Sequence, residues 1–287
     1  MIIKPNRKRN IILIIIATAI ILTFAIFFYD SNARIVVTEY QLYYSNLPEA
    51  FDGYRIVVLA DIHGNEFGRN NERLIAYVIE AAPDIITIPG DLIDEYGSTF
   101  RHLEVALTLV SKLVEIAPTY FVTGNHDWSS GELPALLSML ESFGVIILQN
   151  DYVLLESDSQ SIILAGTDDP NGPADMIKPG QLVSEIKEKH EDSFFIMLEH
   201  RNYNLPLYSE LGVDLVISGH SHGGIIRLPF TDGLLATRFY FFPSYASGVN
   251  TMDSTNMVVS RGLGSSFMWM RLFNNPEVVV VELRVKR

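Results

Sequence analysis

The chain has 287 residues, 48% of them hydrophobic, and no cysteine. That length can bury one large core or two small ones. The missing thiols exclude a disulfide framework and any thiolate-held metal, so a metal site must use nitrogen and oxygen donors. A net charge of −13 excludes general electrostatic adhesion to nucleic acid, which needs a basic face.

Residues 11–29, IILIIIATAIILTFAIFFY, carry no charge. At about 1.5 Å per residue the run spans about 28 Å, close to the hydrocarbon thickness of a bilayer, and predicts a transmembrane helix. Lys4, Arg7, Lys8 and Arg9 precede it, while Asp30 and a single Arg34 follow. The basic excess on the N-terminal side predicts a cytoplasmic N-terminus and an extracytoplasmic bulk domain at the cytoplasmic membrane. The alternatives are a cleaved signal peptide, for which FFYDSNAR is a poor cleavage site, and a buried core helix. Residues 1–34 hold a net +4, which leaves −17 on residues 35–287.

After this anchor, ARIVVTEYQLYY alternates as a first strand. Residues 54–63, YRIVVLADIH, read as a buried strand ending in polar residues, and residues 70–83 as a helix with Pro83 past its end. Residues 84–94 predict strand then loop, 102–118 a helix, 119–128 strand then loop, and 132–144 a helix stopped by Gly144. Strand and helix alternate three times, which predicts parallel strands with helices packed on the sheet. In such sheets the functional crevice lies beyond the carboxyl ends of the strands. Three strands in succession end there in potential ligands: Asp61 with His63, Asp91, and Asn125 with His126.

The second half offers GVIILQ, YVLLES, SIILAGT, FFIMLEH, VDLVISGH, MVVSRG and EVVVVELRV as strands, with one helix near 181–190. The predicted fold is α/β, a four-layer α/β/β/α sandwich of two mixed sheets flanked by helices. Residues 1–34 are read as basic tail, anchor and short linker, and residues 35–287 as one domain.

The polar strand ends are ADIHG (60–64), PGDLID (89–94), TGNHDW (123–128), LEHR (198–201) and SGHSHGG (218–224), and they hold five of the seven histidines. His102 and His190 read as surface residues of helices. Side chains at i and i+2 of an extended strand point the same way, so His220 with His222, and Asp61 with His63, predict two donors from one strand end. Such a pair of imidazoles on one face points to a metal.

The order D-x-H, G-D, G-N-H, H, G-H-x-H resembles the calcineurin-like metallophosphoesterase superfamily over roughly residues 35–287. LPEAFDGYRIVVLADIH at the start, and SRGLGSS with MRLFNNPEVVVVEL at the end, further resemble its membrane-anchored bacterial phosphodiesterase branch. The resemblance implies two divalent ions, Mn, Fe or Zn. One would take Asp61, His63, Asp91 and His222, and the other Asp91, Asn125, His200 and His220, with Asp91 bridging. It also implies a bridging hydroxide as nucleophile and His126 as acid or transition-state stabiliser. Two divalent ions, two carboxylates and the hydroxide leave about +1, which accepts a phosphate inside an acidic protein.

Other residues keep two readings. Asp94 and Asp127 either support the site or sit in solvent. Asp168 and Asp169 in AGTDDP (165–170) either form a loop near the site or a turn. The aromatic stretch RFYFFPSY (238–245) is either a buried strand or hairpin, or a lip that touches an acyl chain or a membrane. Ile225 after the last motif and LEHRNY depart from the usual family pattern, which bears on substrate choice.

The expected function is phosphoester hydrolysis, of phosphodiesters above all, on a lipid-linked substrate or an envelope polymer at the external face of the membrane. A phosphoprotein phosphatase and a non-catalytic metal-binding interaction module are the alternatives.

Overall fold

Period-two burial organises the chain after the N-terminal helix. The computed structural model describes residues 7–97, 99–228, 233–236, 240–265 and 270–287. Among them the strands are β1 (Val36–Tyr44), β2 (Arg55–Val58), β3 (Ile85–Pro89), β4 (Thr119–Val122), β5 (Ile146–Ile147), β6 (Asp151–Ser157) and β7 (Gln160–Gly166). They continue as β8 (Phe195–Leu198), β9 (Leu215–Ser218), β10 (Leu235–Ala236), β11 (Tyr240–Phe241), β12 (Gly248–Met252), β13 (Thr255–Val259) and β14 (Glu277–Val285). The α-helices are α1 (Arg7–Ala33), α2 (Glu72–Ala81), α3 (Thr99–Leu113), α4 (Asn125–Ser129), α5 (Leu133–Ser142), α6 (Pro179–Lys187) and α7 (Leu205–Glu210).

One six-stranded sheet has the order β1-β14-β2-β3-β4-β5 and the other β12-β13-β9-β8-β7-β6, with β10 and β11 as a separate pair. Strands β2 to β5 run parallel, as do β7, β8, β9 and β13. Both sheets are mixed, because β14 is antiparallel to β2, β6 to β7, and β12 to β13.

Alternate side chains explain the layers. Ile56 and Val58 of β2 and Val279 and Val281 of β14 face Ile196 and Leu198 of β8 and Ile217 of β9 between the sheets. Their neighbours Val57, Val278 and Val280 turn outward against Leu74 and Val78 of α2 and Leu109 and Val110 of α3. On the far side Phe195, Met197 and Val216 meet Leu182 and Val183 of α6 and Tyr208 of α7. The result is the predicted α/β/β/α sandwich.

Helix α1 runs beyond the apolar run at both ends, and Asp30 pairs with Arg34 at 2.6 Å across one turn. Its apolar stretch is long enough to cross a membrane and is not buried, so it is not a core helix of the domain. Lys4, part of the topology expectation, lies outside the described residues.

Three local expectations needed correction. GVIILQ yields only the two-residue β5, and α7, which opens with a proline in its first turn, was not foreseen. The aromatic stretch holds part of a hairpin, but Phe241 and Phe242 are 62% and 67% exposed, so it is not buried. Arg238 and Phe239 of that stretch lie outside the described residues.

Ile196 is fully buried between the sheets, whereas Leu154 on β6 is 41% exposed. Ile196→Ala is expected to lower domain stability by about 2–5 kcal/mol, and Leu154→Ala by about 0.5 kcal/mol or less, read from urea midpoints at unchanged slope.

Candidate metal centre

The site sits where β2, β3, β4, β8 and β9 end. Asp61 and His63 follow β2, Asp91 follows β3, Asn125 opens α4 after β4, His200 follows β8, and His220 and His222 follow β9. The first two loops are tied together: His63 N donates to Asp91 O (2.9 Å) and Gly64 N to Leu92 O (2.9 Å).

Strand geometry does not deliver the ligands as expected. Strand β2 stops at Val58 and β9 at Ser218, and the backbone then turns left-handed. Asp61, His63, Asp91, His220 and His222 have φ of 50°, 51°, 53°, 69° and 48°. The paired residues are therefore aimed by tight loops rather than by the pleat. Asp and His tolerate this region better than β-branched residues do.

All seven predicted metal residues converge. His63 Nε2 lies 3.1 Å from His222 Nε2 and 3.8 Å from Asp91 Oδ2. His222 Nε2 is 3.9 Å from Asp61 Oδ1. On the other side, His200 Nε2 lies 3.1 Å from Asp91 Oδ2, 3.2 Å from Asn125 Oδ1 and 3.2 Å from His220 Nδ1. Asp91 stands between the two groups. Its buried Oδ2 accepts no hydrogen bond and faces imidazole nitrogens on both sides. A buried carboxylate oxygen left open among imidazole nitrogens fits a cation, and the all-nitrogen-and-oxygen donor set suits Mn, Fe or Zn. Among the described residues three groups are close enough to share an ion: Asp61, His63 and His222; Asp91, His200 and His220; and His63, Asp91 and His126.

Burial lowers the His200 pKa, but Asp91 and Asp61 overcome it and push it up to about 10. Burial holds His220 and His222 well below the ordinary imidazole value, and neighbouring cationic groups add to this. A cation held by His200 Nε2 would need that nitrogen unprotonated.

The surrounding residues fix the loops. His200 Nδ1 lies 2.8 Å from Pro89 O, which sets that nitrogen as donor and frees Nε2. Gly90 has φ +82°, and a Cβ there would come 2.7 Å from both Gly124 Cα and His200 Nδ1. Asp127 is fully buried and is a hub: its Oδ2 accepts from Asp91 N and Gly124 N, both at 2.8 Å, and its Oδ1 from Ile93 N at 3.0 Å. Asp94 is also buried, with carboxylate oxygens 3.3 Å from His63 Nδ1 and 3.2 Å from His126 Nδ1. Both aspartates thus support the site rather than face solvent.

His126 is more open than His63, His200 or His222, and its N donates to Asp91 Oδ1 at 2.8 Å. Burial opposes its charged form, yet the contact with Asp94 and the charge of Asp91 raise its pKa.

Two expectations change here. His102 is half-buried, not a plain surface residue: its ring fills the space beside Gly64, and its Nδ1 lies 3.2 Å from Asp94 O. His190 lies past the end of α6, half-buried, 3.2 Å from Tyr152 Oη. The AGTDDP loop does approach the site. Asp169 pairs with Arg201 at 2.5 and 3.0 Å, and Arg201 Nη1 lies 3.1 Å from His220 Nε2. Asp168 accepts from Thr123 Oγ1 at 2.8 Å.

Arg271 was not foreseen. Its guanidinium is buried, donates to Arg261 O at 2.8 Å and to Gly264 O, and lies 3.3 Å from His222 Nδ1. The available signal was an arginine inside the apolar stretch MRLF.

The family model for calcineurin-like phosphoesterases matches residues 54–224. YkuE of Bacillus subtilis, an uncharacterized metallophosphoesterase, is 28% identical over 87% of this chain and 86% of its own length. The phosphodiesterase YaeI of Escherichia coli is 29% identical over 80% of this chain and 82% of its own. A transmembrane protein with a metallophosphoesterase domain from Danio rerio is 29% identical over 96% of this chain, which spans 63% of that protein. Among solved structures, Haemophilus influenzae NAD nucleotidase matches 73% of this chain and 45% of its own with a TM-score of 0.50 at 15% identity, a likeness of fold alone. The chain belongs to the calcineurin-like phosphoesterase family and is a metallophosphoesterase.

Proposed function

We propose that the chain hydrolyses phosphodiesters at the external face of the cytoplasmic membrane. Residues 1–34 form the cytoplasmic tail and the anchor, whose helix runs to Ala33 where a short linker was expected, and residues 35–287 the catalytic domain. The observation that carries the reading is Asp91, whose open Oδ2 lies between the His63 and His200 imidazoles. YaeI, a relative along most of its length, is named a phosphodiesterase.

On this reading Asp61, His63, Asp91 and His222 hold one divalent cation, and Asp91, Asn125, His200 and His220 the other. Such cations, when bound, supply the Lewis acidity that acidifies water near neutral pH and draws in a phosphoryl oxygen. The protein's own groups do the rest. Asp127 keeps the loops of Asp91 and Gly124 in register through three backbone donors. Asp94 holds the Nδ1 edge of His126, which leaves Nε2 to protonate the departing ester oxygen. The anion is drawn to a locally cationic pocket within a domain of net negative charge.

Full-length protein in detergent with Mn²⁺ should hydrolyse bis-p-nitrophenyl phosphate faster than the corresponding monoester. Chelation should abolish turnover and Mn²⁺ should restore it. Asp91→Asn should lower both bound metal and activity to background, and equal activity of variant and parent would overturn the reading. His126→Gln should instead retain its metal while kcat falls by about 10²–10⁴. For topology, Asp192 is exposed and, the chain having no cysteine, Asp192→Cys gives a single labelling site. An impermeant maleimide should reach it in intact cells; reaction only after lysis would place the domain inside.

A further inference from the structure

The loop that carries His222 continues into a small ribbon that the proposed chemistry does not use. Ile226 bridges both Leu235 and Leu272, and Leu235 pairs with Phe241. Arg227 N donates to Leu272 O at 3.0 Å, and Phe242 N to Leu234 O at 3.1 Å. Neighbouring extended segments lie about 4.8 Å apart, so Phe241 sits roughly 14 Å across the ribbon from Leu272.

The near edge of this ribbon is docked on the end of α1. Asn32 exchanges hydrogen bonds with the Arg271 backbone at 2.8 and 2.9 Å, and Phe273 N donates to Ser31 Oγ at 2.8 Å. The Phe273 ring lies 5.2 Å from the ring of Phe27. Phe27 belongs to the uncharged run 11–29, about 3 Å of helix rise from its end. A ring packed on it shares its depth. If α1 crosses a bilayer, the edge of the ribbon lies at the hydrocarbon boundary.

Topology puts the site at the same end. Strand β1 is parallel to β14, and β14 is antiparallel to β2. The start of β1, where α1 delivers the chain, therefore lies beside the carboxyl end of β2, where Asp61 and His63 follow. The ribbon also rests on the His222 loop: a Cβ on Gly224 would come 3.4 Å from Pro243 Cγ, and Asn274 Nδ2 donates to His222 O at 2.7 Å.

Phe241, Phe242 and Phe273 are 62%, 67% and 39% exposed on this ribbon. Single exposed apolar residues are ordinary, but three exposed phenylalanines on one ribbon whose near edge packs on α1 call for a partner. Phenylalanine is among the residues with which interfacial segments insert their apolar face into a bilayer.

We infer that this ribbon is a second membrane contact, with Phe241, Phe242 and Phe273 seated in the interfacial layer of the bilayer that α1 crosses. The inference rests on the anchor reading and deepens the proposed function. The rim at His222 then faces lipid headgroups, and the substrate class narrows to phosphodiesters carried at the membrane surface.

The full chain, free of native cysteine, allows a single nitroxide at Phe241→Cys or Phe242→Cys in phosphatidylcholine–phosphatidylglycerol vesicles. Ile20→Cys in the middle of α1 and Asp192→Cys before β8 serve as references. Collision with oxygen relative to a water-soluble nickel chelate reports depth. The ratio at both phenylalanine positions should shift away from that of Asp192 towards that of Ile20. Values matching Asp192 while Ile20 reads deep would overturn the second contact and leave the anchor standing. An aqueous value at Ile20 would overturn the anchor and the contact with it. Labels shielded from both reagents would show a protein surface, such as a second copy, in place of lipid and would equally overturn it.

Discussion

Asp91 is a buried carboxylate whose two oxygens have different tasks. Oδ1 accepts the His126 amide, while Oδ2 stands open between His63 and His200. A carboxylate removed from water is unfavourable unless positive charge or donors surround it. Burial pushes its pKa up, but His200 and His63 outweigh that and hold it well below the ordinary carboxylate value. The demand for positive charge at this point governs the neighbourhood. Asp127, equally buried, carries the like charge of Asp91 nearby; burial first, and that charge second, push its pKa up to about 7. Its three backbone donors keep the loops closed around Asp91 in spite of this repulsion.

The second constraint is conformational. Five of the seven proposed ligands hold a left-handed backbone, a state that disfavours side chains by about 1–3 kcal/mol per residue. Such strain persists only where the surroundings over-determine it. Here the parallel ladders end in loop-to-loop hydrogen bonds, from His63 N to Asp91 O and from Gly219 N to His200 O at 3.1 Å. The His220 amide is further held by Asp61 Oδ1 at 2.9 Å. Two sheets packed through a largely apolar interface supply the rigid frame, and the loops spend part of that stability on aiming donors.

The same division explains what the sequence made legible. Alternation and apolar runs are local, so β1 to β4 and helices α2, α3 and α5 could be read directly, and so could the polar residues at their ends; the short α4, read as loop, could not. The five motifs mark residues whose chemistry is their own. What escaped reading depends on contacts between distant segments. Strand β14 is an obvious run of valines, but nothing local says that it inserts between β1 and β2. His220 and His222 look like a strand pair, yet the ladder ends at Ser218 and the turn does the aiming. Arg271 pairs with no local motif, because its partners are carbonyls at Arg261 and Gly264 and the ring of His222. Phe241 and Phe242 resemble buried strand residues because composition alone cannot distinguish a core from an exposed apolar surface.

The junction between α1 and the domain bears on how such an enzyme meets its substrate. A flexible linker would raise local concentration and let the domain tumble. Here α1 ends at Ala33 and β1 begins at Val36, and the helix end is bonded by Ser31, Asn32 and Asp30 to residues 271–275. Arg73 Nη2 adds a bond to Ala33 O at 2.8 Å. The domain is therefore clamped to its helix rather than tethered by it. Arg271 lies in that clamp and also against His222, so the segment that docks the helix also packs against a ligand of the proposed centre. On the proposed topology, the height and tilt of the site above the bilayer are fixed by these contacts. Selectivity can then arise from where a phosphodiester is carried as well as from what surrounds its phosphorus. On the same topology the acidic remainder of the domain would be repelled by anionic headgroups, which leaves the apolar ribbon as the face suited to meet them.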